Sequence, residues 1–214
     1  MGSVKAYGQF EKRNGYTYRT RAYLQWGTSV KSLGAFLLLN PGKAKPIEDV
    51  VLKEGDAYFG ETKIDQSMQQ MQKLVERVNA EKELDGRVHI YNLFSLRNTK
   101  YQDAIAMFEK LVSVGEIPVI DDYPSLEELK KHPWICKCWG INSNANRNHL
   151  RERKIKWNEL LTNANVPTFG KLHPNKFDYF HIRPHLKKDQ DVLQEELVEL
   201  YRKEVARKLV HNYS

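Results

Sequence analysis

Several polar residues of this chain lie directly after runs of apolar residues, where predicted strands end. They are Asn40 of Asn40-Pro41-Gly42 after Phe36–Leu39, Asn92 near the end of Arg87–Phe94 with Ser95 and Asn98 after it, and Asn142, Ser143 and Asn144 following Gly140 after Trp134–Trp139. Asn-Pro-Gly ends a strand abruptly, and open α/β sheets bind their ligands at the carboxyl ends of strands. Amides, with the histidines, arginines and aromatic residues of the same motifs, suit recognition of a nucleobase by hydrogen bonding and stacking. An ordinary strand-to-loop turn is the alternative, because Asn-Pro and Pro-Gly are common turn formers.

The sequence lacks the motifs of several other common kinds of active site. The chain has no Gly-x-Gly-x-x-Gly or P-loop pattern for a nucleotide cofactor and no Gly-x-Ser-x-Gly elbow of a serine hydrolase. Cys136 and Cys138 stand two apart in a predicted strand, so they point the same way and are poorly placed to pair. No further ligands stand at zinc-binding spacing. We therefore expect no cofactor, no metal, and two cysteines that act as small strand residues.

The apolar periodicity predicts strands and helices in alternation. The predicted strands are 16–30 (one strand or a pair), 33–39, 87–94, 134–139 and a short fourth sheet strand at 177–182. The predicted helices are 64–79, 100–113, 125–131 with a Ser125/Glu128 capping box, 143–161, and a long C-terminal helix over 191–210. Crossovers of this length allow parallel pairing. The expected fold is a three-layer α/β/α sandwich around a central, mainly parallel four-stranded sheet.

Length and composition limit the class of protein. With 214 residues, 41% hydrophobic and 29% charged, the chain is expected to form a single domain over 1–214 with its core at about 20–190. It contains no run of about 18 apolar residues that would span a membrane. The N-terminal residues lack the apolar stretch of a signal peptide. We expect a cytoplasmic monomer that does not engage a membrane.

The positive charge is concentrated in two segments. Between Arg147 and Lys188, ten lysines and arginines stand against three acidic residues, an excess of seven that equals the net charge of the whole chain, +7. The N-terminal segment interleaves further basic residues with tyrosines. A basic face of this kind predicts a polyanion as partner, most often a nucleic acid. The alternative is a solvated basic surface.

The order of the motifs resembles a known group of proteins. Leu38-Leu39-Asn40-Pro41-x-x-Ala44, Asp65-x-Ser67-Met68, Tyr91–Arg97 and Trp139-Gly140 resemble a widespread bacterial and phage family of unknown function with a Leu-Asn-Pro-Ser-x-Ala signature. This order is in turn similar to that of the uracil-DNA glycosylase superfamily, especially its mismatch-specific branch. The closing His/Pro loop is matched by His181–Leu186, without a clean His-Pro-Ser. The resemblance spans about residues 20–190.

The resemblance implies a DNA glycosylase that removes an extruded base and leaves an abasic site. Asn40 would position the attacking water, and His181 would support the leaving base, with His173 and His185 as competing candidates. The residues expected to bind the base are Asn92, Tyr58, Phe59, Pro41 and Gly42. The residues expected to bind DNA are Lys43, Arg147, Arg151, Arg153, Arg183, His185 and Lys187. A hydroxymethylated or glucosylated cytosine of phage DNA fits the phage context of the family.

Three other functions stay open at this point. The same fold can act as a non-catalytic DNA- or RNA-binding module, or as a nucleosidase that hydrolyses small nucleotides and needs no basic segment. The acidic segment 116–128 can instead make the chain a protein-interaction domain. No lysine stands in a motif suited to Schiff-base chemistry, so we expect no lyase step after base release.

Overall fold

A computed structural model of the chain describes residues 3–79, 83–117, 123–142 and 147–206. Its strands are β1 (Lys5–Arg13), β2 (Tyr16–Trp26), β3 (Ser32–Leu38), β4 (Ala57–Thr62), β5 (Gly86–Asn92), β6 (Ile135–Lys137) and β7 (Thr168–Phe169). Its helices are α1 (Gln66–Val78), α2 (Tyr101–Ser113), α3 (Leu126–Leu129), α4 (Asn148–Asn163) and α5 (Lys187–Tyr201), the last continued by a π-helical turn over Arg202–Ala206. No helix among these residues is long and apolar enough to cross a membrane.

The described strands form one mixed sheet of seven, in the order β4-β1-β2-β5-β3-β6-β7. Strands β5, β3, β6 and β7 pair in parallel, whereas β4, β1, β2 and β5 pair antiparallel. The α/β class is confirmed, but the prediction of a mainly parallel four-stranded sheet is wrong. The N-terminal segment supplies the difference, because Ala6 and Phe10 are buried while their neighbours are only half-buried, the alternation of a strand with one covered face.

Helices cover both faces of the parallel part of the sheet. Along β3, Phe36 and Leu38 pack with α1 and α5, whereas Ala35 and Leu37 pack on the other face with α2 and α4. All four of these side chains are buried, as expected of a central strand with helices on both sides. Helices therefore cover both faces of the strands whose ends carry the predicted site residues. The ends of these strands are the parts that reach solvent.

Most predicted elements are confirmed, with shifted boundaries. Ser125 caps α3 by accepting a hydrogen bond from the Glu128 N–H at 3.1 Å. The helix predicted over 143–161 begins at Asn148 within the described residues, and positions 143–146 lie outside them. The C-terminal helix begins at Lys187, not at 191, and positions 207–210 lie outside the described residues. Positions 118–122 of the acidic segment also lie outside them.

The fourth parallel strand is not where the sequence predicted it. Residues 177–182 form no strand, although Tyr179 makes isolated bridges to Gly140 and Leu172. The short strand β7 takes that place beside β6. Hydrogen bonds of Asn175 fold this segment into turns: its Oδ1 accepts from the Phe177 and Asp178 N–H groups, and its Nδ2 donates to the buried Asp178 carboxylate.

Candidate functional site

A cavity of about 900 Å³ opens at the carboxyl end of the parallel strands, between the start of α1 and the loop that precedes α5. Seven of the predicted site residues line it. They are Asn40, Pro41, Gly42, Lys43, His181, Arg183 and His185. The segments that meet here are more than a hundred positions apart in the chain, so the sheet edge brings them together as the strand ends predicted.

Asn40 follows β3 and is half-buried, with its side chain fixed by one hydrogen bond. Its amide Nδ2 donates to the Asn98 carbonyl oxygen at 3.1 Å, which leaves Oδ1 without a partner among the described residues. Gly42 has φ +64°, a backbone conformation that glycine adopts without strain, and it turns the chain sharply after Pro41. An amide oxygen held in this way can accept a hydrogen bond from a water molecule or from a ligand.

Arg97 holds the loop that follows Asn40. Its Nε donates to the Ala44 carbonyl oxygen at 2.8 Å and its Nη2 donates to the Lys43 carbonyl oxygen at 3.1 Å. The Tyr91–Arg97 segment thus supports the first motif through its terminal arginine. The side chain of Lys43 is exposed at the rim of the cavity.

The loop over 181–186 forms the opposite wall. Ile182 is fully buried and anchors the loop, while His181 and Arg183 are half-buried and His185 is exposed. The Nδ1 atom of His181 lies 3.2 Å from both the N–H and the carbonyl oxygen of Arg183. Burial, together with the nearby charges of Arg183 and His185, lowers the pKa of His181 below its usual value. The ring is therefore neutral at neutral pH, with Nδ1 engaged by the loop and Nε2 free of it.

Trp139 and Gly140 complete the wall at the end of β6, next to the histidine loop. A side-chain carbon added at Gly140 would lie 3.7 Å from the Cβ atom of His181, so the two segments are direct neighbours. Asn142 folds its side-chain amide back onto the carbonyl oxygens of Trp139 and Gly140, at 3.1 Å each. These bonds fix the turn after β6.

Asp178, fully buried, ties the wall to the rest of the fold. Its carboxylate accepts hydrogen bonds from Trp139 Nε1 at 3.3 Å, the Asn142 N–H at 3.1 Å, Asn175 Nδ2 at 3.0 Å and Lys154 Nζ at 2.5 Å. Burial opposes ionisation of Asp178, but the hydrogen bond and charge of Lys154 outweigh it and lower the pKa of the carboxyl. The buried ion pair therefore positions the strand end that carries Trp139.

Three charged residues that the sequence analysis did not assign to the site also line the cavity: Asp65, Arg19 and the exposed Asp189 of α5. Asp65 caps α1, where its Oδ1 accepts from the Ser67 and Met68 N–H groups at 2.9 Å each. The Asp65-x-Ser67-Met68 motif was a usable signal for it, since an N-cap beside a predicted helix is recognisable. Arg19 lies in β2 and is 3% exposed. Nothing in the local sequence indicated that its side chain turns inward.

Three of the residues expected to bind the base do not line the cavity. Asn92 ends β5, but its Oδ1 is buried and has no hydrogen-bond partner among the described residues. Tyr58 and Phe59 lie in the edge strand β4, where the Tyr58 hydroxyl donates to Glu48 at 3.3 Å and Phe59 stacks on Tyr7. They lie away from this cavity because the chain after Gly42 crosses to the far edge of the sheet, and their base-stacking role stays a prediction.

The remaining predicted DNA-binding residues differ in how much of the side chain is exposed to solvent. Arg147 precedes α4, Arg151 is exposed with its guanidinium 5.3 Å from the Phe177 ring, and Lys187 is exposed at the start of α5. Arg153 is only 1% exposed and lies over the Tyr123 ring at 4.8 Å. The prediction that Arg153 contacts DNA is therefore wrong, because a buried guanidinium cannot reach a phosphate.

Neither the alternative histidine, His173, nor a group of metal ligands belongs to the cavity formed by the described residues. His173 does not line the cavity; its ring lies 5.4 Å from that of Phe180. Among the described residues, no three or more His, Cys, Asp or Glu side chains are grouped in a way that could hold a metal ion. Cys136 and Cys138 are buried free thiols within and just after β6.

Comparison of the chain with protein-family models, with curated proteins and with solved structures found no match.

Proposed function

We propose that this protein is a monofunctional DNA glycosylase, which hydrolyses the N-glycosidic bond of a damaged or modified base extruded from DNA. The observation that supports this best is the meeting of the Asn40 loop and the His181 loop in one cavity at the carboxyl end of the sheet. The volume of about 900 Å³ suits a ligand of nucleotide size, including an enlarged base such as a hydroxymethylated or glucosylated cytosine.

Asn40 and Asp65 support the attack of water. Because Nδ2 of Asn40 is committed to Asn98, its Oδ1 can orient a water molecule without acting as a base. The free oxygen of Asp65 can accept the proton of that water and balance the positive charge that develops on the sugar. The C1′–N bond breaks with its electron pair on the base, the water oxygen bonds to C1′, and the proton passes through Asp65 to solvent.

His181 and the rim residues have separate tasks in this scheme. When Nδ1 of His181 accepts from Arg183, Nε2 carries the proton and can donate to an oxygen of the departing base. Lys43, Arg183 and His185 lie where the phosphates next to an extruded nucleotide would pass, and their positive or protonatable groups suit phosphate oxygens.

A small-nucleotide hydrolase is the second candidate, and one observation favours it. Arg153 and Lys154 are buried, so two of the ten cations counted between positions 147 and 188 are not available to DNA. A substrate the size of a nucleotide would need the cavity but not an extended basic face.

The test is base release from duplex and single-stranded DNA carrying uracil, mismatched thymine, 5-hydroxymethylcytosine or its glucosylated form, with free nucleotides in parallel. We expect alkali-labile abasic sites on one DNA substrate and a loss of at least about 100-fold in Asn40→Ala. Asn158→Ala is the matched control, since Asn158 is equally half-buried but lies on α4 outside the cavity.

Three results would contradict the glycosylase proposal. Cleavage of free nucleotides alone would identify the second candidate. Salt-sensitive DNA binding without release of any base would identify a non-catalytic binding module. Full activity in Asn40→Ala would remove the cavity from the mechanism.

A further inference from the structure

Arg19 is a buried cation in the wall of the cavity with most of its hydrogen-bonding capacity unused. The residue is 3% exposed, and its Nε and Nη1 atoms are buried without a hydrogen-bond partner among the described residues. Arginine carries five N–H donors in a rigid, planar group that matches oxygen acceptors. A ligand in the cavity is the partner that this group lacks.

A β-bulge turns Arg19 toward the cavity. Gln9 of β1 pairs with Arg21, but the next residue, Phe10, pairs with Arg19, so Thr20 is an extra residue in β2. Cross-strand partners share a face, which places Arg19 with buried Phe10 and leaves Arg21 on the opposite, exposed face. Without the bulge the two arginines would lie on the same face. Bulges are often found where a side chain is directed into a site.

An unpaired buried guanidinium is costly to the fold. Removing it from water without a compensating hydrogen bond destabilises the native state. Burial lowers the pKa of Arg19 to about 10, so the group stays charged at neutral pH. The negative charge of Asp65 offsets part of this effect, but no oxygen of the described residues accepts from Nε or Nη1. A residue retained at such a cost is better explained by binding than by stability.

We propose that Arg19 binds an oxygen that carries or develops negative charge on the ligand in this cavity. In the proposed reaction, on which the identity of this ligand rests, that oxygen belongs to the departing base and receives part of the electron pair of the broken C1′–N bond. The depth of the residue supports this assignment. Lys43 and His185 are exposed residues of the cavity lining, within reach of DNA phosphates, whereas Arg19 is buried and lines the same cavity as the buried residues Leu38 and Ile90.

The experiment compares Arg19→Met, Arg19→Lys and the control Arg21→Met. Arg21 is the same residue type in the same strand, but it is exposed on the opposite face and does not line the cavity. Base release is measured on the substrate that the DNA panel identifies. Thermal unfolding is measured for each variant alone and with uracil, 5-hydroxymethylcytosine or inorganic phosphate.

We expect Arg19→Met to lose at least about 100-fold in base release, as when a donor to a developing negative charge is removed, and to lose the rise in unfolding temperature caused by the free base. Without ligand it should unfold at the wild-type temperature or above it, since an unpaired buried charge has been removed. Arg19→Lys should recover part of both losses, and Arg21→Met should behave as the wild type.

The outcomes separate this inference from the proposed function. Wild-type rates and ligand effects in Arg19→Met would overturn the inference while leaving a glycosylase in place. An early-unfolding Arg19→Met that still binds the free base would also overturn it, by making Arg19 structural. If no DNA releases a base, but phosphate stabilises the wild type and not Arg19→Met, the glycosylase proposal fails and the anion is a phosphate.

Discussion

The two parts of the sheet bury their strands differently. In the parallel part, β5, β3, β6 and β7, helices lie on both faces and consecutive β3 residues are buried. In the antiparallel part, β4, β1 and β2, one face packs on the core while the other carries a row of aromatic rings that ranges from buried Tyr23 to exposed Phe59. A sheet covered on both faces offers a ligand only its strand ends, and the cavity lies at those ends.

The aromatic row runs across the three strands of the antiparallel part and continues onto β5. Tyr7 and Tyr23 stack with ring centroids 5.2 Å apart, Phe59 stacks on Tyr7 at 6.1 Å, and His89 continues the row 6.2 Å from Tyr23. Phe59 at its end is 51% exposed. Cross-strand pairs of this kind stabilise a sheet without needing a second layer. The parallel part therefore carries most of the cavity at its strand ends, whereas the antiparallel part contributes cross-strand packing and one cavity residue, Arg19.

The largest expected effect tests how strongly the parallel part depends on its buried ion pair. Lys154→Met leaves the Asp178 carboxylate buried and without its cation, and we expect a loss of about 3–5 kcal/mol in the free energy of unfolding. Lys156→Met is the control on the same helix, because its pair with Glu159 is half exposed and worth less than about 1 kcal/mol. Urea denaturation measures both. Equal losses in the two variants would remove the special role of Asp178.

A pH effect tests the boundary between the two parts. His132 is 4% exposed; its Nδ1 lies 2.7 Å from Ser32 Oγ and its Nε2 lies 2.8 Å from the Tyr91 hydroxyl. Burial, with the nearby His89 and Lys131, lowers the pKa of His132 from 6.5 to about 4. The unfolded chain therefore binds a proton first as pH falls, so this contribution is complete above pH 6.5 and is lost toward pH 4.

The expected size of that pH effect is about 3 kcal/mol between pH 7 and pH 4. Urea denaturation of the wild type and His132→Gln at several pH values isolates it, since the variant lacks this titration and should lose that much less stability on acidification. Parallel pH curves for the two proteins would show that His132 is not the neutral buried group that its contacts indicate.

The smallest effect is expected in the aromatic row. Phe59→Ala should cost about 1 kcal/mol, because the side chain is half exposed and makes cross-strand contacts only. Phe36→Ala, in a fully buried position of β3, should cost about 3–5 kcal/mol by the same measurement. Base release should be unchanged in Phe59→Ala. A selective loss of release there would restore the base-stacking role that the sequence first suggested.

The sequence predicted the parts of the fold that have a strong local pattern. The apolar run of β3 and its Asn-Pro-Gly end were recognisable, as were the helical spacing of α1 and the capping box of α3. Strand β4 was missed because Ala57–Thr62 contains Gly60 and few apolar residues, and β7 because two residues make no pattern. Such segments form strands because a neighbouring strand pairs with them, β1 in the case of β4 and β6 in the case of β7.

The sequence predicted a site residue where the end of a strand determines its position. It did not predict residues whose orientation or burial depends on contacts between distant parts of the chain. Asn40 was found because its position follows from β3 alone. Asn92 was expected at the cavity but does not line it, because the sequence gives its strand but not the direction of its side chain. Arg153 was misassigned because its burial depends on the aromatic residues of α2 and of the segment before α3. Arg19 was missed because a bulge depends on the pairing of two strands.

Thr20 is an extra residue in β2 relative to β1. The number of residues in these two paired strands, as well as their types, therefore decides which arginine of β2 faces the cavity. Inserting one residue between Gln9 and Phe10 of β1 would leave every side chain chemically intact, yet it would give Thr20 a partner, convert the bulge into regular pairing and place Arg19 on the same exposed face as Arg21. Substitutions at Arg19 weaken one group by degrees, whereas a single-codon insertion in the neighbouring strand would turn the whole side chain away from the cavity. Length in this short stretch is therefore as strictly constrained as the residues that flank it.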